Sequence, residues 1–142
     1  MVATHNEGCA KLIYHVVQCA HWNAAMESGS TYLPPTFEQD GFIHATHDGN
    51  LLVEVLNCFY ADVKDDFLCL ELDTSLLTSP VKMEPAAPVG DKPAEGLFVA
   101  ELLPHIYGPI APLSCVVRKL PVQRDEAGKF LSIDGLSESE RN

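Results

Sequence analysis

Positive charge is scarce in this chain: nine lysines and arginines stand against twenty aspartates and glutamates in 142 residues, a formal net charge of −11. Nucleic-acid backbones are gripped largely by cationic side chains, and no basic cluster occurs here. An extended DNA or RNA surface is therefore not expected, whereas a small phosphate-bearing ligand held by backbone amides stays open. The acid excess reads as a solvated surface, much of it at residues 62–66 and in the tail. Long apolar runs are also missing. None approaches the roughly 20 residues that span a bilayer, so no membrane partner is expected. Residues 1–7 have neither a basic stretch nor an apolar core of the kind a secretory signal carries, and a cytoplasmic location is the expectation.

Cysteine supplies no framework. Cys9, Cys19, Cys58, Cys69 and Cys115 are odd in number and widely spaced, with no CxxC pair, which argues against zinc-ribbon and thioredoxin-type sites. Cys58, Cys69 and Cys115 sit in apolar runs and read as reduced core residues, and Cys9 as an exposed residue. Neither GxGxxG nor GxxxxGK[ST] is present, against the usual dinucleotide and triphosphate folds. HExxH and GxSxG are absent as well, so neither a helical zinc-protease site nor a nucleophile elbow is indicated.

What is present is one domain's length of chain with ordinary globular composition, 46% of it apolar. The expected division is a flexible arm over 1–10, a single domain over 11–121, and a polar C-terminal extension over 122–142 whose end, 137–142, is disordered. A strand is expected over 11–17, with Ile13, His15 and Val17 on one face and Leu12, Tyr14 and Val16 on the other. A helix over 21–28 follows, with Trp22, Ala25 and Met26 on one stripe and Gly29 as its stop. Residues 32–35 are extended or turned around two prolines. A strand over 41–46 puts Phe42, His44 and Thr46 on one side, and Asp48 caps a helix over 50–60. That helix carries an apolar stripe of Leu51, Leu52, Val55, Leu56 and Phe59.

After a polar turn at 62–66, residues 67–72 are apolar on both faces and read as a central strand. A turn of helix at 73–77, a weak strand at 81–84 and a proline-rich loop over 85–95 come next. Residues 97–103 and the Pro104 segment lead to a last strand over 114–120. Strands with interspersed short helices, lacking regular βα alternation, give an α+β class.

Three polar islands stand out in this apolar pattern: Ile13-Tyr14-His15-Val16-Val17, Gly41-Phe42-Ile43-His44-Ala45-Thr46-His47 and Pro104-His105-Ile106-Tyr107-Gly108-Pro109. Polar groups in short core strands need partners, since an unpaired one costs about 1–3 kcal/mol. Three such islands in one small domain point to a single pocket. A lone His15 among apolar neighbours is more often a core histidine with one satisfied nitrogen. His44 is harder to explain that way, because Thr46 shares its side of the strand. His47 projects oppositely and suits the strand-to-helix turn. His105 and Tyr107, between prolines and a glycine, read either as a tight loop anchored by tyrosine or as a rigid ligand-facing wall. A metal site would combine His44, His47 and His105, with Glu101 as a further candidate. That spacing straddles a strand end and does not converge, so no metal is expected.

At these motifs the chain resembles the domain-of-unknown-function family 952. The matching pieces are IYHVV (13–17), the next helix with Trp22 and Ala25, Gly29, Tyr32 and Pro34, GFIHAT (41–46) and PHIYGPI (104–110), together spanning about 11–120. Members of that family look like compact relatives of the ADP-ribosyltransferase fold, in which a split, strongly bent β-sheet clamps NAD. The resemblance implies that His15 contacts the nicotinamide-side ribose and that His44, with Thr46 beside it, packs near nicotinamide. The third determinant is often a glutamate. Here Glu84 and Glu101 are the candidates, with His105 and Tyr107 as the alternative occupants of that role.

The RNA 2′-phosphotransferase branch, which also uses two histidines, relies on arginines to hold phosphate. This chain has few arginines, and Arg118 lies on the last strand with no paired basic neighbour, so RNA repair is disfavoured. The implied function is binding of NAD or ADP-ribose, with NAD as substrate for ADP-ribosyl transfer or glycosidic cleavage. His15 and His44 would be catalytic, and His15, His44, Thr46, His105 and Tyr107 would bind the nucleotide. The alternatives are a non-catalytic nucleotide- or protein-binding module and a histidine-based metal-dependent enzyme.

Overall fold

Aromatic and β-branched residues build the first strand, β1 (Leu12–Gln18), in a computed structural model that describes residues 11–29, 31–90 and 102–136. The alternation sorts its side chains as expected. Ile13 and Val17 enter one apolar cluster, Tyr14 and Val16 another. β1 pairs antiparallel with β3 (Phe67–Asp73), from Leu12 opposite Asp73 to Gln18 opposite Phe67. The two-sided apolar content of β3 places it inside the sheet. Its other edge takes β6 (Val116–Arg124), and β7 (Phe130–Ile133) completes the order β1-β3-β6-β7.

A second sheet has the order β2-β5-β4, made of β2 (Ile43–His44), β4 (Val81–Glu84) and β5 (Leu103–Ile106). The expected six-residue strand at 41–46 is divided between the two sheets. His44 pairs with His105 of β5, while Thr46 exchanges both backbone hydrogen bonds with Tyr14 of β1, at 2.7 and 2.9 Å. One extended stretch thus stitches the sheets into a curled antiparallel surface with a split beside it. The fold is α+β.

The inner face of the small sheet contributes Ile43, Val81 and Ile106 to the cluster that holds Ile13, Val17, Leu70 and Leu72. The other face of the large sheet is covered by α3 (Asn50–Phe59), whose Leu52 and Leu56 pack with Tyr14, Val16, Phe67 and Phe130. Burying each of those leucines stabilises the fold by about 1.5–3 kcal/mol. Cys69 and Cys115 are fully buried and Cys58 half-buried, and these and Cys19 are free thiols. Cys9 lies outside the described residues.

Several local expectations are corrected. α1 (Cys19–Ser28) starts two residues early, because Asp66 and Asp65 accept the Cys19 and Ala20 amides. Its Met26 is 46% exposed, and Tyr32 instead completes the packing of Trp22, with ring centroids 5.9 Å apart. Gly29 ends it as expected, at φ 76° with its N–H on the Ala25 carbonyl. The short α2 (Phe37–Asp40) follows the two prolines and ends at Gly41, φ 82°.

The cap position of α3 is Gly49, one residue after Asp48. The Asp48 N–H is taken by Thr46 Oγ1 at 3.1 Å, and the Asp48 carbonyl accepts from Leu51. The expected turn at 73–77 is present as a single turn, with the Leu76 and Leu77 amides on the Asp73 carbonyl and Ser75 on its carboxylate. β6 starts at 116, after a 3₁₀ turn at Leu113–Cys115. It then runs past residue 121, and the stretch read as a polar extension supplies β7, with Phe130, Ile133 and Leu136 buried in the core. An isolated Phe and Ile in polar sequence carry no strand periodicity; β6 supplies the pairing edge they need. Among the described residues no helix is long and apolar enough to cross a membrane.

Candidate functional site

The register of the small sheet sets His44, His105 and Lys82 in one cross-strand row. Directly opposed residues point to the same face, and neighbours two apart share it. Phe42, His44, Glu84, His105 and Tyr107 therefore gather on the face opposite the Ile43–Val81–Ile106 core. Phe42 stacks on His105, with centroids 4.1 Å apart and planes 16° apart, and it also touches His44 and Tyr107. The His44 and His105 rings meet edge to face at 5.5 Å.

Each imidazole has its own carboxylate. His105 Nδ1–H donates to Glu84 Oε1 at 2.9 Å, and the Tyr107 hydroxyl donates to the same oxygen at 2.5 Å. Those two bonds, Tyr107's first, hold the Glu84 carboxyl below the usual carboxylate range, and Glu84 raises the Tyr107 hydroxyl in return. His44 Nε2–H donates to Asp40 Oδ2 at 2.9 Å. Asp40, whose side chain is 6% exposed, also receives the Gly90 N–H at 3.1 Å to each oxygen. Burial pushes the His44 imidazole below its ordinary value, and Asp40 opposes that shift.

His15 comes from the large sheet. Its Nδ1–H donates to the His44 carbonyl at 2.6 Å, leaving Nε2 as the lone-pair nitrogen, and that atom is buried without a hydrogen-bond partner. Burial lowers its pKa to about 4, so the ring is neutral at physiological pH.

These strands open onto a cleft at the split between the sheets. Its walls are Tyr14, His15 and Val16 of β1, His44 to Thr46, Leu103 and His105 of β5, α3 with Tyr60, and Ala86, Ala87 and Val89. The cleft has room for about three waters. Burial pushes the Tyr60 hydroxyl up to about 12.

Of the residues singled out from sequence, His15, His44, Thr46 and His105 line this cleft together. Tyr107 stands behind them, on Glu84. Glu101 lies outside the described residues. The Pro104 segment is not a loop until Tyr107. It is the middle strand of the small sheet, where Pro104 lies just past the two paired residues of β2 and uses only its carbonyl, which accepts from Ala45 at 3.1 Å. Gly108, at φ 149°, lies against Ser79, whose Oγ donates to the Pro109 carbonyl.

Arg118 is bound by Glu71 at 2.8 and 2.7 Å, on the face of the large sheet that carries Tyr14, and does not line the cleft. His44, His47 and His105 do not group as metal ligands, and no set of three His, Cys, Asp or Glu side chains among the described residues does. The residue missed from sequence is Asp40. Its spacing of four from His44 is the one signal available, and a helix end at Gly41 intervenes.

The chain belongs to the family described as protein of unknown function, DUF952, whose model matches residues 16–119. No curated protein matches the sequence. The crystal structure of protein CC0527 from Caulobacter crescentus is similar in fold, at 23% identity and TM-score 0.64, covering 84% of this chain and 93% of that one. Its solution NMR structure gives 23% identity and TM-score 0.60, over 92% and 97% of the two chains.

Proposed function

We propose that this member of the DUF952 family binds a nucleotide of the NAD or ADP-ribose class at the split of its sheet, breaks the nicotinamide–ribose bond of NAD and passes ADP-ribose to an acceptor. The observation that carries this reading is the convergence of His15, His44 and His105, from three different strands, on one cleft, two of them oriented by their own carboxylates. The neutral His15 presents an acceptor nitrogen suited to a ribose hydroxyl or an amide N–H. Breaking the glycosidic bond develops positive charge on the ribose, and oriented acceptors and an ionised carboxylate stabilise such charge electrostatically. Glu84, held ionised by Tyr107 and His105, lies behind the His105 ring and supplies its negative charge through it. The cleft admits one end of such a ligand, with the rest lying across the open side.

Incubation with labelled NAD tests the reaction. Nicotinamide should be released by the native protein and lost in His44→Ala and His15→Gln. Absence of release from native protein sinks the enzymatic claim. The absence of a carboxylate among the described residues lining the cleft favours a second reading, a binding module without turnover. Stabilisation by ADP-ribose or NAD in a melting experiment without nicotinamide release supports it. At 100 times the dissociation constant the ligand adds about 2.7 kcal/mol.

A further inference from the structure

We infer that His105 is the base of this cleft and that the acceptor it serves is a hydroxyl, either water or an alcohol, an inference that rests on the nucleotide reading above. His105 sits on the middle strand of the small sheet, 2% exposed, and lines the cleft. Its Nδ1–H is committed to Glu84, so the lone pair lies on Nε2, the nitrogen left for a ligand. The ring cannot swing freely, because Phe42 is stacked flat on it. The carboxylate behind it is held too: the Tyr107 hydroxyl bonds the same oxygen, and Lys82 Nζ caps the Tyr107 ring at 4.7 Å. His44 forms a parallel pair, with its Nε2–H on an Asp40 that is also tied to Gly90 and its Nδ1 carrying the lone pair.

Among the described residues lining the cleft there is no serine, cysteine, lysine or carboxylate. The hydroxyl of Thr46 is engaged with Asp48. Tyr14 spends its hydroxyl on Glu71, and burial keeps the Tyr60 hydroxyl protonated, so the nucleophile arrives with the acceptor. A thiol would reach the site partly ionised and a carboxylate would bring no proton to remove. An ammonium or guanidinium would enter a largely apolar cleft whose described lining has no carboxylate to receive it, whereas a hydroxyl enters uncharged and needs a base as it attacks.

The step balances without a redox partner. His105 Nε2 takes the proton of the acceptor hydroxyl, and the oxygen's electron pair forms the bond to the ribose C1′. The bond from C1′ to the pyridinium nitrogen breaks, its electron pair returning to that nitrogen, so nicotinamide leaves neutral. The imidazolium then gives its proton to solvent. With water the product is ADP-ribose; with an alcohol it is the corresponding O-linked ADP-riboside. Glu84 and Tyr107 are positioning residues in this scheme.

The test pairs kinetics with spectroscopy on the full chain. Glu84→Gln should lower kcat for nicotinamide release about ten- to hundredfold, within the range general-base catalysis supplies, with little change in KM, and Glu84→Asp should recover part of it. Nitrogen-15 spectra of the native imidazoles should show His105 protonated at Nδ1 and bare at Nε2, and diethyl pyrocarbonate should acylate it there. A His105 carrying its proton on Nε2, or a Glu84→Gln protein with unchanged kcat, overturns the inference. No nicotinamide release together with the Nδ1–H tautomer and a reactive Nε2 refutes the NAD reading while supporting a base for another hydroxyl substrate.

Discussion

His15 Nδ1 lies 2.6 Å from the carbonyl oxygen of His44, so the side chain of the first strand is fastened to the backbone of the second where the two sheets part. That bond fixes the tautomer of His15, keeps its other nitrogen as an acceptor, and ties the small sheet to the large one.

Burial that holds His15 near a pKa of about 4 makes stability depend on pH. The unfolded chain binds a proton at this residue near 6.5 and the folded chain only near 4. Its contribution is therefore complete above the unfolded value and is lost as pH falls from about 6.5 to 4, on the order of 3 kcal/mol. His44, also depressed by burial, acts in the same direction. Urea unfolding across pH 4–7 should show this decline, with a flatter slope in His15→Gln. An identical slope in the variant would remove His15 as its source.

Asp40 joins the cleft wall at Gly90 to His44. In Asp40→Ala the Gly90 amide should exchange with deuterium at least about tenfold faster, since one hydrogen bond of about 1.5 kcal/mol is removed. The His44 titration should move further down, because its opposing carboxylate is gone. NMR reads both effects on one sample, and an unmoved His44 titration would contradict the assigned pair.

Gly108 belongs to the third polar island for a steric reason. A Cβ at this position, φ 149°, would meet Ser79 Oγ at 2.5 Å and Ser79 Cβ at 3.0 Å. Gly108→Ala should destabilise by about 1–3 kcal/mol, and adding Ser79→Gly should restore part of that. Thermal melting of the single and double variants distinguishes the clash from a loss of glycine's freedom alone, which the second substitution would not relieve.

Glu71 is a carboxylate inside the central strand, 4% exposed at the side chain, held by Arg118 at 2.7 and 2.8 Å and by the Tyr14 hydroxyl at 3.2 Å. Arg118→Met leaves that carboxylate under-paired and should cost about 2–3 kcal/mol, less than a fully buried pair because Arg118 is 38% exposed. The double variant with Glu71→Leu should recover most of the loss. Additive losses in a double-mutant cycle would show that the two residues do not act together.

Much of the scaffold was legible in residue order. The alternation of β1 sorted Tyr14 from His15, Gly29 marked the end of α1, and the two-sided apolar run at 67–72 placed β3 inside the sheet. The polar islands were equally legible, because an imidazole among β-branched residues contradicts its surroundings wherever the strand lies. β7 escaped notice, since Phe130 and Ile133 become a strand only against β6.

The sequence by itself determined which side chains face together along one strand, because that follows from a period of two. It could not determine which strands meet. The pairing of His44 with His105, the division of residues 41–46 between two sheets, and the Asp40–His44 and Glu84–His105 pairs arise from register between segments 4 to about 60 residues apart. Register is chosen by burying Ile43, Val81 and Ile106 against the large sheet. The tertiary structure thus turned three separate histidine motifs into one cleft and assigned each ring its partner.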